Sequence, residues 1–154
     1  MSSRFSTFSE FWPFYVGEHR QARCRVLHFV GTLGFFSTVI FGLVSSPVRM
    51  GACLAAGILV LVLARKVEAK RRAIPEVISL AVLWTLGSPW VLAGIVWAYA
   101  WAWTAHARIE HNRPATFIYP LWSLIGDYKM VTMMLMGQLW TGDLRDRFPD
   151  TEAA

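Results

Sequence analysis

Charged residues are scarce in this chain, and long stretches have none. Of its 154 residues only 16% are Asp, Glu, Lys or Arg, whereas 55% are hydrophobic, and the mean hydropathy is +0.42. An average soluble protein has far more charge and less apolar content. We therefore predict an all-α integral membrane protein that forms a single domain over residues 1–154 and whose main partner is the lipid bilayer.

Cysteine is almost absent, which excludes two classes of small protein. The two cysteines, Cys24 and Cys53, are too few for a disulfide framework and lack the spacing of a cysteine zinc site. A cleavable signal peptide is not predicted either, because charges interrupt the first 25 residues. The net charge of +5 lies in short segments between apolar runs, so it indicates membrane topology rather than nucleic-acid binding.

The apolar runs predict a helical bundle of about four helices in two hairpins within residues 26–112. The first hairpin turns at Ser45-Ser46-Pro47 and the second at Gly87-Ser88-Pro89. Between them, residues 65–72 hold the strongest positive block, which marks the cytoplasmic side. Two hairpins then return residues 20–25 and 108–113 to that same side.

Both ends of the chain are predicted to form interfacial amphipathic helices. In residues 1–25, Thr7 and Glu10 have the spacing of a capping box and are followed by many aromatic residues. In residues 113–142, a helix begins after Pro120, and its four methionines suit either an acyl-chain wall or plain packing. Its predicted apolar stripe consists of Leu121, Leu124, Ile125, Tyr128, Val131, Leu135 and Leu139. Residues 143–154 are predicted to be a solvated tail.

Residues 97–120 carry the pattern with the most chemistry, at the end of the last apolar helix. His106 and Glu110 are four residues apart, so they lie about 40° apart on one helical face and could bind one metal ion. His111 lies about 140° from His106 and would join only if the last turn is distorted. Pro114 ends this helix.

The predicted topology brings His19 and His28 to the same membrane face as His106. On one continuous helix His19 and His28 would point in opposite directions, so a break between them or ligation from two directions is required. Imidazole and carboxylate ligands with open positions suit non-haem Fe(II) and O₂ chemistry. The residues leave open a bis-histidine haem protein using His28 and His106, and a non-catalytic lipid-binding protein.

Two segments also resemble a known family: FWPFYVGEHRQARCRVLHFVGT and HARIEHNRPATFIYPLWSLIGDYKM. They are similar to small membrane proteins related to the fungal endoplasmic-reticulum enzyme that oxidatively decarboxylates 2-hydroxy fatty acids in phytosphingosine breakdown. The matching pattern consists of His19, His28, Ala105-His106, Glu110 and Pro114-Ala115. Ala105 stands where the family usually has Gly, and His111 stands where Lys is common.

The resemblance implies an Fe(2+)-dependent dioxygenase whose metal and catalytic residues are His19, His28, His106 and Glu110. Its substrates would be O₂ and a long-chain 2-hydroxy fatty acid, which would chelate the iron through its carboxylate and 2-hydroxyl groups and be shortened by one carbon. The site would lie on the cytoplasmic face of the inner membrane in a bacterium or of the endoplasmic reticulum in a eukaryote. Asp127 and Tyr128 are candidates for orienting a ligating histidine. Arg20, Arg108 and Arg113 are candidates for steering the anionic headgroup.

Overall fold

The computed structural model describes residues 5–64, 82 and 87–144. Within them the secondary structure is helical, without strands, which confirms the all-α class. In the described parts of the chain, five α-helices can be delimited: α1 (Phe8–Gly17), α2 (Ala22–Ser45), α3 (Pro47–Ala64), α4 (Pro89–Ala105) and α5 (Pro120–Leu135). A π-helical turn, His106–Glu110, extends α4, and a short 3-10 turn, Ala115–Phe117, precedes α5.

Helices α2 and α4 pack against each other in antiparallel directions and form the centre of the fold. Glycines allow this close approach. A Cβ atom added to Gly31 of α2 would lie 3.2 Å from the Ala98 carbonyl oxygen of α4. One added to Gly94 of α4 would lie 3.0 Å from the ring of Phe35. The pairing of 31 with 98 and of 35 with 94 fixes the register of the two helices.

The turns at Ser46 and Ser88 lie at one end of this pair. Met50 and Cys53 of α3 pack with Val39 of α2 and Val91 of α4. The Arg49 side chain donates a hydrogen bond to the Gly87 carbonyl, which ties the two turns together. The first predicted hairpin is therefore present. The first arm of the second hairpin and the basic block at 65–72 lie outside the described residues.

Among the described residues, one helix, α2, is long and apolar enough to cross a membrane. The apolar part of α3, Pro47–Val60, is shorter, and α4 is rich in tryptophan and tyrosine. The predicted bundle of four apolar spanning helices is thus supported at α2 alone. The outer face of α2 exposes apolar side chains, namely Val30, Leu33, Phe36, Ile40, Phe41, Leu43 and Val44.

Helix α1 packs against α5 instead of presenting all its aromatic residues to a surface. The Thr7 hydroxyl accepts the Glu10 N–H and so caps α1, as the sequence predicts. Phe11 and Tyr15 then form a buried core with Met130 of α5. The aromatic residues of α1 thus take part in tertiary packing, and the position of this helix in a membrane interface stays a prediction.

Most of the predicted apolar stripe of the last helix lies opposite its buried face, and contact of that stripe with a membrane stays a prediction. The buried face of α5 consists of Ser123, Gly126, Met130, Val131 and Met134. Of the predicted stripe only Val131 and Leu139 are buried, while Ile125 and Leu135 are exposed. Gly126 lies on this face because the Tyr15 ring of α1 approaches it closely, which apolarity alone does not predict. Leu144 is also buried, which contradicts a solvated tail at that position, and residues 145–154 of the predicted tail lie outside the described residues.

Candidate metal centre

Three histidines from distant parts of the chain meet at the end of the α2–α4 pair that lies away from the two turns. His19 lies in the turn between α1 and α2, His28 in the second turn of α2, and His106 directly after α4. The helical structure is interrupted between Gly17 and Ala22, so His19 and His28 do not share one continuous helix. This break removes the orientation conflict expected from their spacing.

The three imidazole rings are in mutual contact and almost fully buried. Ring centroids are 4.5 Å apart for His19 and His28, 4.8 Å for His19 and His106, and 5.3 Å for His28 and His106. One ligand nitrogen from each ring lies within 4.8 Å of the other two. The exposed fractions of these residues are only 1%, 7% and 3%.

The Nδ1 atoms of His19 and His28 each face an oxygen acceptor. Nδ1 of His19 lies 2.6 Å from the Tyr15 carbonyl oxygen, and Nδ1 of His28 lies 2.7 Å from Oδ1 of Asp127. Neither a carbonyl oxygen nor a carboxylate can donate a hydrogen bond, so Nδ1 carries the proton in both rings. The lone pair of each neutral ring is therefore on Nε2.

His106 has the same arrangement, with Asn112 as its partner. Nδ1 of His106 lies 2.6 Å from Oδ1 of Asn112. The amide is oriented by Glu18, because Nδ2 of Asn112 donates to the Glu18 carbonyl at 2.9 Å and to its carboxylate at 2.8 Å. The amide oxygen thus faces His106, which leaves Nε2 of this ring as the ligand atom as well. Sequence reasoning missed Asn112.

The Nε2 atoms explain why this cluster suits a metal ion. Nε2 of His19 and of His28 is buried and has no hydrogen-bond partner among the described residues. A buried polar atom without a partner is costly, about 1–3 kcal/mol. A divalent cation bound by the three Nε2 atoms would satisfy them, and an outer oxygen on each Nδ1 is the usual companion of a metal-bound histidine.

Burial keeps the rings of His19 and His106 neutral, which metal binding requires. Burial lowers the pKa of His19 well below its ordinary value, and the neighbouring His28 and His106 lower it further. Burial also lowers the pKa of His106 to about 4, although the hydrogen bond that its Nδ1–H donates to Asn112 opposes this shift. Protons therefore compete weakly with a metal for these two rings near neutral pH.

Asp127 joins His28 to two further side chains. Its Oδ2 accepts a hydrogen bond from the Thr32 hydroxyl, and its Oδ1 accepts one from the Tyr15 hydroxyl at 3.4 Å. Burial and the Asp127 charge raise the pKa of Tyr15, so the phenol stays protonated and donates. Asp127 is thus a histidine-orienting residue, as expected, whereas the ring of Tyr128 packs on Phe36 at 5.6 Å.

Glu110 lies outside the three-histidine cluster. Its Oε1 accepts the backbone N–H of Gln21 at 2.7 Å, directly at the start of α2. The carboxylate therefore lies where the dipole of α2 favours negative charge. This contact explains an acid in the last turn after α4, where that helix alone would disfavour it. His111 is exposed, with a left-handed backbone at φ 55°, and the π-helical turn does not bring it to the cluster.

Arg25 is a buried residue that sequence reasoning did not single out. Its guanidinium donates to the carbonyl oxygen of His19 at 2.9 Å, of Leu139 at 2.7 Å and of Gly142 at 2.8 Å. The arginine therefore fixes the turn that carries His19 against the segment after α5. Of the proposed steering arginines, Arg108 and Arg113 are exposed.

Comparison with known proteins identifies the family of this chain. No curated protein and no solved structure matches the chain. A family model described as 2-hydroxy-palmitic acid dioxygenase Mpo1-like matches residues 5–139. The match includes all three clustered histidines together with Asn112 and Asp127. The chain therefore belongs to the Mpo1-like family.

Proposed function

We propose that this protein is an Fe(II)-dependent membrane dioxygenase that shortens long-chain 2-hydroxy fatty acids by one carbon. The observation that carries the proposal is the cluster of three buried histidines, whose Nδ1 atoms each face an oxygen and which offer one ligand nitrogen each within 4.8 Å of the others. The family description supports the substrate class. Three imidazoles leave coordination positions for substrate and oxygen.

The proposed reaction balances with O₂ as the oxidant. The 2-hydroxy acid and one O₂ give the acid one carbon shorter, CO₂ and one water. The C1–C2 bond breaks, C2 is oxidised to a carboxyl carbon, C1 leaves as CO₂, and O₂ takes up four electrons. When bound, Fe(II) supplies the Lewis acidity and the one-electron chemistry that let O₂ react with the acid.

The residues of this chain contribute binding, orientation and exclusion of water. His19, His28 and His106 would hold the metal through Nε2, and Asp127 and Asn112 would keep two of the rings in the ligating tautomer. Burial of the three rings removes bulk water from the centre. Glu110 would position the start of α2, and hence His28, without touching the metal.

We place the protein in a membrane with this centre at the cytoplasmic face. The support is the apolar length of α2 and its exposed apolar side chains, together with the charge pattern of the sequence. A water-insoluble acyl substrate fits such a location, because it would reach the site along the bilayer.

The haem alternative fits the geometry less well. A haem bound by His28 and His106 would need both rings on opposite sides of a wide macrocycle. Their centroids are 5.3 Å apart in an edge-to-face contact, and His19 packs against both. The buried cluster also argues against a lipid-binding protein in which the histidines have no function.

The test is iron content and substrate consumption in protein purified in mild detergent. Wild type should bind about one iron per chain and consume 2-hydroxyhexadecanoic acid under air, whereas His28→Ala should lose most of both. His111→Ala, at an exposed position, is the matched control and should behave as wild type. Zinc instead of iron, an intense Soret band, or equal metal content in His28→Ala and wild type would contradict the proposal.

A further inference from the structure

A cavity of about 100 Å³ lies beside the histidine cluster, between α2, α4 and α5. Its walls include His28 of α2, Ala98 and Ala102 of α4, and Ser123 and Asp127 of α5. His28 therefore belongs both to the wall of the cavity and to the histidine cluster. An engineered apolar cavity of about 150 Å³ binds benzene, so this space suits a few non-hydrogen atoms rather than a whole acyl chain.

Ser123 shows that this cavity is built for a polar group. The residue is only 4% exposed, and its hydroxyl is buried without a hydrogen-bond partner among the described residues. A serine inside a helix usually satisfies its hydroxyl locally, as Thr132 of the same helix does with the Tyr128 carbonyl at 2.7 Å. Ser123 thus brings to the cavity wall a hydroxyl that no described residue satisfies.

Charge decides which oxygen of a 2-hydroxy acid fits there. Asp127 lines the same cavity, so a carboxylate placed inside would face a second carboxylate. The oxygens of Asp127 already accept hydrogen bonds from His28, Thr32 and Tyr15, so they are satisfied without a ligand. A neutral hydroxyl can donate to or accept from Ser123 without that repulsion.

We infer that this cavity is the substrate subsite in which Ser123 binds the 2-hydroxyl group, while Ala98 and Ala102 contact the adjoining carbons. The inference rests on the proposed function, since it names a subsite for the same substrate. It makes Ser123 the residue that distinguishes a 2-hydroxy acid from an ordinary fatty acid.

The test is equilibrium binding without oxygen, so that no turnover occurs. Iron-loaded protein in lipid nanodiscs is dialysed against labelled 2-hydroxyhexadecanoic acid or hexadecanoic acid, with empty nanodiscs as background. Ser123→Ala should weaken binding of the 2-hydroxy acid by about 3-fold to 10-fold and leave hexadecanoic acid unchanged. The melting temperature without ligand should not fall, because the removed hydroxyl has no partner. Ser37→Ala, exposed on α2, is the control.

A second pair of variants tests the walls of the cavity. Ala102→Leu should fill the space and weaken binding of the 2-hydroxy acid about tenfold or more at unchanged iron content. Ala100→Leu, on the exposed face of the same helix, should bind as wild type. Equal losses for both acids in Ser123→Ala, no loss in either variant, or no binding by wild type would overturn the inference. Consumption of the 2-hydroxy acid under air is measured separately. A protein that binds the acid through Ser123 but does not consume it would contradict the proposed function alone, and one that consumes the acid without depending on Ser123 would contradict the subsite alone.

Discussion

The tautomer of each clustered histidine is decided by a single oxygen atom of another residue. The Tyr15 carbonyl, the Asp127 carboxylate and the Asn112 amide each occupy one Nδ1 atom. Metal affinity should therefore depend on residues that never touch the metal.

Asp127→Asn tests this dependence. Asp127 accepts hydrogen bonds through two carboxylate oxygens, whereas the asparagine amide has only one oxygen. His28, Thr32 and Tyr15 would therefore compete for that oxygen. We expect iron affinity to fall by about 10-fold to 100-fold while the helical content is kept. Competition with a coloured chelator measures the affinity. The matched control is Glu10→Gln, which also replaces a carboxylate with an amide, at an exposed position of α1. Equal iron affinities of the two variants would contradict the orienting role of Asp127.

Glu110→Gln separates the ligand and the structural interpretations of this residue. The carboxylate accepts the Gln21 N–H at the start of α2, so the amide should keep the iron and cost about 0.5–2 kcal/mol of stability. Iron content and the unfolding midpoint are measured on the same sample. A fall in iron affinity of about 10-fold to 100-fold would instead show that Glu110 is a metal ligand, as its spacing from His106 first suggested.

Stability of the metal-free protein should fall as the pH is lowered from about 6.5 towards 4. Unfolded His106 takes up a proton near pH 6.5, whereas the folded residue has a pKa of about 4. Between these values the unfolded state binds more protons, so acid favours unfolding, and the contribution is complete above pH 6.5. Thermal unfolding at pH 7 and pH 4.5 measures it. His106→Gln should show a smaller pH dependence, and an undiminished one would contradict this origin.

The sequence predicted the histidines but not all of their partners. Spacing on a helix placed His106 and Glu110 on one face, which is a local property. Whether Glu110 faces a metal or the start of α2 depends on where residue 21 lies, 89 positions earlier in the chain. Asn112 has no signal of its own, because its orientation comes from Glu18.

At the level of helices, the close contact of α2 and α4 sets the distance between His28 and His106. Gly31→Leu should push the helices apart, since even a Cβ atom would lie 3.3 Å from Cβ of Trp101. We expect a loss of about 1–3 kcal/mol in stability and weaker iron binding. Gly51→Leu on α3 is the control, because no atom lies within 4 Å of its added Cβ. Equal melting temperatures for the two variants would contradict this view of the contact.

Helix positions followed from local signals more readily than helix partners did. The Ser-Ser-Pro and Gly-Ser-Pro turns end and begin helices where predicted, because proline and the preceding residue restrict the backbone locally. The packing of α1 on α5 was not predicted, since it depends on Gly126 admitting the Tyr15 ring. Apolar aromatic residues suit a protein core and a membrane interface equally well.

The whole molecule has the histidine cluster at one end and the turns at Ser46 and Gly87 at the other. If α2 spans the membrane, these ends should face opposite sides, with the histidines in the cytoplasm. In a cysteine-free background, Arg108→Cys should react with an impermeant thiol reagent only from the cytoplasm, and Ser46→Cys only from outside. Labelling of both from one side would contradict this topology.

The order of synthesis follows from the positions of the cluster and its partners in the chain. His19 and His28 leave the ribosome first, whereas His106 and Asp127 come from the last third of the protein. A nascent chain that stops before α5 therefore has all three histidines but lacks the carboxylate that orients His28. We therefore expect stable metal loading to follow translation of α5, and a released chain truncated after Pro120 should retain less iron than the full chain.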